Sequence, residues 1–277
     1  MQSELVISTY NAPRSLGLTL LSVLVQRHLP WVCIADDGSG PQTRALIDAF
    51  ASAHPDLHLR HVWHEDRGFE KNAILNRAVA TSSADHLIFT DGDCLLSPGF
   101  VARHRALAGP GRYACGSLIR LPAAPSAALT DEDITSGRVW RRDWLRAQGA
   151  IDRPTTWLKT APLPGPVLAL LEHLSPVRRT WSGSNASGMR ADIVRVNGFD
   201  EAMKYGGEDK EFGIRLQNAG VRGRHLRFSA PVVHIDHPRG YVDPERVAEN
   251  RRRIAEARRS GRFWTADGLA KGPMPGV

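Results

Sequence analysis

Cysteine is scarce in this chain of 277 residues. Cys33, Cys94 and Cys115 are far apart and form no CxxC pair, which excludes a zinc ribbon and a disulfide framework and leaves a reduced setting as the expectation. Long apolar runs are missing as well. No stretch approaches the ~20 residues of a membrane span, and no signal peptide is recognised ahead of ELVIST (4–9), so a cytoplasmic protein is expected. No internal repeat is visible. Near the N-terminus STYNAPRS holds no glycine-rich phosphate loop, which weighs against a nucleotidyltransferase, the alternative enzyme class. Recognised nucleic-acid-binding motifs are absent too, so no nucleic-acid partner is expected even though the basic tail keeps that alternative in view.

Positive charge is present in excess. Thirty-six Lys and Arg against 29 Asp and Glu leave a formal charge of +7, which suits an acidic partner such as a nucleotide, a phosphorylated lipid or an anionic membrane surface. Hydrophobic residues at 42% and charged residues at 23% are those of a globular chain able to bury a core.

Apolar periodicity alternates along the first half. Strands are predicted at 4–9, 31–39, 57–64 and 86–93, and helices at 15–27, 41–53, 69–82 and 98–108. That rhythm predicts an α/β fold, a mostly parallel sheet with helices on both faces. Residues 122–180 are Pro-rich, then basic and aromatic, and read as an insertion of two short helices and loops. A helix at 210–220 ending on Gly220, a strand at 228–236, a basic helix at 244–264 and a frayed remainder complete the chain.

Ligands of open parallel sheets gather beyond the carboxyl ends of the strands, and there the polar clusters STYN, DDGS and TDGD fall. Asp36 and Asp37 end a strand before Gly-Ser, where a carboxylate can accept hydrogen bonds from a base NH or a ribose hydroxyl. In TDGD, Gly92 permits a tight turn that lets Asp91 and Asp93 face one site. A hard cation, Mn2+ or Mg2+, takes one or two carboxylates together with phosphate oxygens. The third cluster, GGEDKEF (206–212), opens a helix on Glu208 and Asp209; one carboxylate is the candidate general base and the other would orient an acceptor. Each cluster also has a plain structural reading, as a capped turn, a solvated turn or an acidic helix start.

In this order and spacing the clusters resemble the inverting nucleotide-sugar glycosyltransferases of family 2, which have the GT-A (nucleotide-diphospho-sugar transferase) fold, across roughly residues 3–240. The resemblance implies a UDP-sugar donor. Ser8 and Tyr10 of STYN would lie at the nucleotide, with Tyr10 packed on the base. Asp37 would partner uracil with Asp36 supporting it, Asp91 would sit near the ribose and Asp93 on the metal. GFEKNAILNRA is similar to a family helix that contacts the diphosphate or base, with Lys71 and Asn72 in its place but no arginine directly before Asn72. The segment SGSNASGMRADIVRVNGFDEAMKYGGEDKEFGIRL resembles the C-terminal part shared by bacterial polysaccharide transferases and β-1,4-galactosyltransferases. By that likeness Asp209 is the catalytic base, Glu208 holds the acceptor, Gly183 lines the donor sugar and Asp200 fixes a turn.

The family supplies one histidine to complete the metal shell, and VVHIDHPR offers two. Strand alternation points His234 and His237 to opposite sides, so one ligand is expected: the strand end favours His234, the HPR likeness His237. Trp140, Trp144 and Trp157 are as well explained by packing as by sugar stacking, whereas Trp181, beside SGSN, is the aromatic placed at the sugar. The implied division is a transferase domain over 1–243, with 122–180 on the acceptor side, and a basic helix and tail over 244–277. The implied acceptor is a saccharide or glycolipid of bacterial surface-polysaccharide assembly, with possible peripheral contact of the tail with the inner face of the plasma membrane.

Overall fold

A computed structural model describes residues 1–237 and 243–274. The chain opens with β1 (Ser3–Thr9), α1 (Pro13–Leu24), β2 (Trp31–Asp36), α2 (Pro41–Ala53), β3 (Leu59–Trp63), α3 (Lys71–Thr81) and β4 (His86–Asp91), each within a few residues of its predicted position. Pro13 and Pro41 occupy first-turn positions of α1 and α2, where the missing N–H has no helical partner to lose.

After β4 come β5 (Cys94–Leu96), α4 (Phe100–Leu107), β6 (Arg112–Cys115) and β7 (Leu118–Arg120). The insertion holds α5 (Ala123–Ala128), α6 (Asp131–Thr135), a 3-10 turn at Arg138–Trp140, α7 (Arg142–Ala147), α8 (Pro154–Lys159) and α9 (Gly165–Leu174), more helix than the two pieces expected. These pieces are too short to show a helical repeat. Local devices define them instead, such as the reciprocal Thr130–Asp133 capping box of α6. Next follow β8 (Ala186–Met189), α10 (Arg190–Arg195), α11 (Glu208–Asn218), β9 (Arg222–His225), β10 (Val232–His234) and α12 (Pro244–Ser260).

Among the described residues the strands form a seven-stranded sheet in the order β3-β2-β1-β4-β8-β6-β9 and a three-stranded sheet β5-β10-β7. Pairing across β3, β2, β1 and β4 is parallel, and β8 runs antiparallel to both of its neighbours. Val6, Cys33, Ala35, Leu87 and Phe89 face α3, α10 and α11 on one side, while Leu5, Ile7, Val32, Ile34 and Ile88 face α1, α2 and α4 on the other. A strand buried on both faces reads as an unbroken apolar run, which is why ELVIST and HLIF stand out. The chain leaves β1 toward β3 on one side and returns to β4 on the other, so the strand order reverses between β1 and β4.

The insertion packs Leu129, Ile134, Val139 and Leu145 against Leu95, Ile119 and Val233 of the smaller sheet, so it is built onto the fold. The C-terminal remainder is not frayed through residue 274. Asn197 donates to the carbonyls of Thr265 and Ala270 and accepts from the Ala270 N–H, and the Leu269 N–H bonds the Asn197 carbonyl. Among the described residues no helix is long and apolar enough to cross a membrane.

Candidate active site

Ser8, the penultimate residue of β1, lies opposite Asp91 of β4, and its hydroxyl donates to Asp91 Oδ1 at 2.8 Å, at the point where the strand order reverses. The same oxygen accepts from Lys71 Nζ at 2.6 Å. The Gly92 N–H bonds the Ser8 carbonyl at 2.7 Å, and a Cβ on Gly92 would stand 3.1 Å from that oxygen, so a larger residue would crowd the turn after β4.

Asp36 is fully buried, between the Ser39 N–H at 2.8 Å and His61 Nε2 at 3.0 Å. Burial works against its ionisation, but the hydrogen bonds from His61 and Ser39 outweigh that and lower its pKa. Asp37 lies 2.8 Å from His64 Nε2 and accepts from the Glu70 N–H at 3.0 Å; here burial prevails and the pKa rises. Neither histidine was singled out in the sequence, since single histidines in the alternating LRHVWH carry no motif. The Tyr10 ring is 48% exposed, with its hydroxyl donating to Asp66 at 2.9 Å, so a face is open for a planar ligand.

Asp93 follows the turn. His237 Nε2 lies 3.0 Å and His234 Nε2 3.7 Å from Asp93 Oδ2, and one ligand atom from each of the three residues falls within 4.8 Å of the others. The expectation that a single histidine reaches this place is therefore corrected. β10 ends at His234, so strand alternation no longer governs His237 and its ring turns back. Pro238 and Arg239 of the HPR stretch lie outside the described residues. Burial alone would raise the Asp93 pKa, but the His237 hydrogen bond and the charge of His234 hold it below the ordinary value.

Two left-handed glycines, Gly206 (φ 117°) and Gly207 (φ 99°), turn the chain into α11. Glu208 is 7% exposed and one of its oxygens accepts from the Gly206 N–H at 2.8 Å. Asp209 Oδ2 accepts from the Gly183 N–H at 2.8 Å, whereas Oδ1 is buried with no hydrogen-bond partner. Burial lifts the Asp209 carboxyl to about 6, with Lys71 opposing and Glu208 and Asp91 adding to the rise. Burial disfavours the Lys71 ammonium, yet Asp91, Asp209 and Glu208 together reverse this and raise its pKa. Lys71 thus joins the TDGD and GGED clusters electrostatically, a role that its position in the sequence did not disclose.

Two expectations fail on burial. Trp181 is 2% exposed, packed among Phe89, Tyr113, Phe199 and Phe212, so its ring faces are covered and cannot stack on a sugar. Asn72 is 2% exposed and donates to the Asp200 carbonyl at 2.7 Å, tying α3 to the NGFDE loop and not to a diphosphate. Asp200 does fix a turn, by accepting from the Ala202 N–H at 3.1 Å.

Residues 4–131 match the Glycosyl transferase family 2, and residues 174–238 match the N-terminal domain of galactosyltransferase. Validoxylamine A glucosyltransferase of Streptomyces hygroscopicus subsp. limoneus is 31% identical over 233 residues, 79% of this chain and 48% of that protein. The chain therefore spans about half the length of that relative. The mannosyltransferase PcManGT from Pyrobaculum calidifontis, solved with GDP-Man and Mn2+, aligns with a TM-score of 0.58 at 21% identity over 87% of this chain and 58% of its own. Staphylococcus aureus TarS 1-349 with UDP-GlcNAc aligns at 0.57 and 16% identity over 92% of this chain and 66% of its own. The sheet order, the strand-end carboxylates and these likenesses agree: the chain has the GT-A fold, and residues 4–131 form a glycosyl transferase family 2 domain.

Proposed function

We propose that the chain is a metal-dependent, inverting glycosyltransferase that takes a sugar from a nucleotide diphosphate, with UDP as the nucleotide, to a hydroxyl of a saccharide or glycolipid. The observation that carries this reading is Asp209. It pairs one carboxylate oxygen held by Gly183 with a second that is buried and unpartnered, at a pKa of about 6. A base near neutrality with a free lone pair is suited to accept a hydroxyl proton. The acceptor oxygen then bonds to the anomeric carbon as that carbon's bond to the diphosphate oxygen breaks. The proton passes to Asp209, the electron pair leaves with the diphosphate, and attack opposite the leaving group inverts configuration.

Two imidazoles and a carboxylate around one point suit Mn2+ better than Mg2+, so Asp93, His234 and His237 would hold the ion. When bound, it supplies neutralisation of diphosphate charge. Tyr10 would stack on the base, and Asp37 accept from it. Asp91, anchored by Ser8 and Lys71, would face the ribose. The GDP-Man and Mn2+ in PcManGT and the UDP-GlcNAc in TarS support a nucleotide-sugar donor and a divalent ion for this fold. Bacterial surface-polysaccharide or glycolipid assembly at the cytoplasmic side of a membrane, with α12 in peripheral contact, is the setting we propose.

A thermal-shift panel of UDP- and GDP-sugars, with and without Mn2+, tests the donor, because a ligand raises the melting temperature in step with its affinity. A UDP-sugar shift that requires Mn2+ is expected. A GDP-sugar shift alone would overturn the nucleotide. Full transfer activity in Asp209→Asn would overturn the base.

A further inference from the structure

A second concavity adjoins the catalytic carboxylates. The segment from Arg178 to Gly183 runs alongside α11 in the opposite direction, in contact at every turn. The Arg179 carbonyl accepts from Gln217 Nε2 at 3.1 Å, and the Gly183 N–H donates to Asp209 at 2.8 Å. Between them Gly213 meets Trp181 so closely that a Cβ there would lie 2.8 Å from the Trp181 Cβ. Residues 217, 213 and 209 thus meet 179, 181 and 183. The register works because four helical residues rise about 6 Å, close to two residues of extended chain.

Along this seam lies a groove of about 390 Å³, lined by Arg178, Arg179, Thr180, Lys210, Gly213 and Gln217, with Arg258 of α12 at its border. All four cations are exposed, and among the described residues none of them pairs with a carboxylate. Neighbouring cations are matched: Arg253 with Glu249, and Arg262 with Glu211. The groove begins one residue from Asp209, at Lys210, and extends to Gln217, about 10 Å along the helix axis. Four uncompensated cations around a space of this size suit one compact anionic group, and opposite charge there would raise both capture rate and affinity.

We propose that this groove is an acceptor subsite for an anionic group, a carboxylate or phosphate carried on the saccharide some distance from the hydroxyl that reacts. The assignment rests on the transfer reading of Asp209. The polar Thr180 and Gln217 would accommodate neighbouring hydroxyls, and Arg178 and Arg258, both lining the groove, would meet the charge.

The test uses the full chain and matched soluble probes: a β-glucoside against the corresponding β-glucuronide, and the glucoside against its 6-phosphate. Calorimetric binding without donor gives Kd, and transfer kinetics give KM and kcat. Tenfold or tighter binding of a charged probe than of its neutral partner is expected. Arg178→Gln combined with Arg258→Gln should remove that preference, raise KM for the charged acceptor about tenfold and leave kcat and the donor KM unchanged. Arg105→Gln, an exposed change on α4, should alter nothing. The glucuronide and phosphate arms tell the two anionic sources apart. Equal Kd for charged and neutral probes, or equal losses in the control, would overturn the subsite. So would charge-dependent binding confined to phosphatidylglycerol vesicles, which would assign the groove to lipid headgroups. Charge-selective binding without transfer from any donor would instead overturn the transfer reading.

Discussion

With Asp209 as the proposed base, burial of its carboxyl, with a pKa near 6, predicts opposite responses of activity and stability to pH. Below that value the base is protonated, so kcat/KM should fall about tenfold per pH unit as pH drops through 6, measured in a pH–rate profile. The folded pKa lies above the ordinary 3.8, so the folded state binds the proton more tightly than the unfolded chain does. Stability from this group is complete below about 4 and is lost as pH rises through 6. Asp209→Asn should therefore abolish transfer yet melt at a higher temperature than the wild type at pH 8, with the gain vanishing near pH 4. Lys71 opposes the rise, and Lys71→Met should move the acid limb of activity upward by about one unit. Gly183 leaves no space for a side chain, because a Cβ would stand 2.8 Å from Asp209 Oδ1. Gly183→Ala should push the base aside and lower kcat by roughly 100-fold, with the fold retained by circular dichroism.

At the level of elements, α11 is held by a buried ion pair that the GGED motif does not announce. Arg215 and Glu211, one helical turn apart, are both 0% exposed, and Arg215 also donates to the carbonyls of Val196 and Gly198. Removing Arg215 leaves buried Glu211 with only Arg262, at 3.7 Å, to offset its charge, a loss of up to about 3–5 kcal/mol. Arg215→Met should destabilise by that amount in urea unfolding, and adding Glu211→Gln should recover part of it. In sequence the pair is an ordinary i, i+4 surface pattern; only packing against the NGFDE loop takes it out of water. The same limit applies to α5–α9, whose pieces of 5 to 10 residues are shorter than the window in which helical periodicity can be recognised. Strands β6, β7, β8 and β9, of three or four residues, went unseen for the same reason.

Across the whole molecule, the C-terminal segment beyond the family matches is joined to the NGFDE loop by contacts distant in sequence. Asn197, at φ 63°, holds the stretch from Thr265 to Ala270, and Lys271 reaches Glu201 at 2.6 Å. Deleting residues 263–277 should lower the melting temperature by several degrees, because it removes Phe263 and Leu269, which pack on the main core. The parallel half of the sheet was legible because strands buried on both faces must be continuously apolar, and the carboxyl-end clusters because a turn leaving such a strand must be polar. The chemical nature of TDGD and GGED was legible too, since residue type alone sets which atoms can hold a metal or take a proton. Accessibility was not legible. Trp181 and Asn72 have the right chemistry for a ligand but are buried by aromatic neighbours and by the Asp200 carbonyl. Nor could sequence show that both histidines converge on Asp93, that Lys71 bridges two acidic clusters, or that four arginines and lysines line one groove. Those facts depend on where distant segments meet, and such meetings are decided by packing, which leaves no periodic trace in the order of residues.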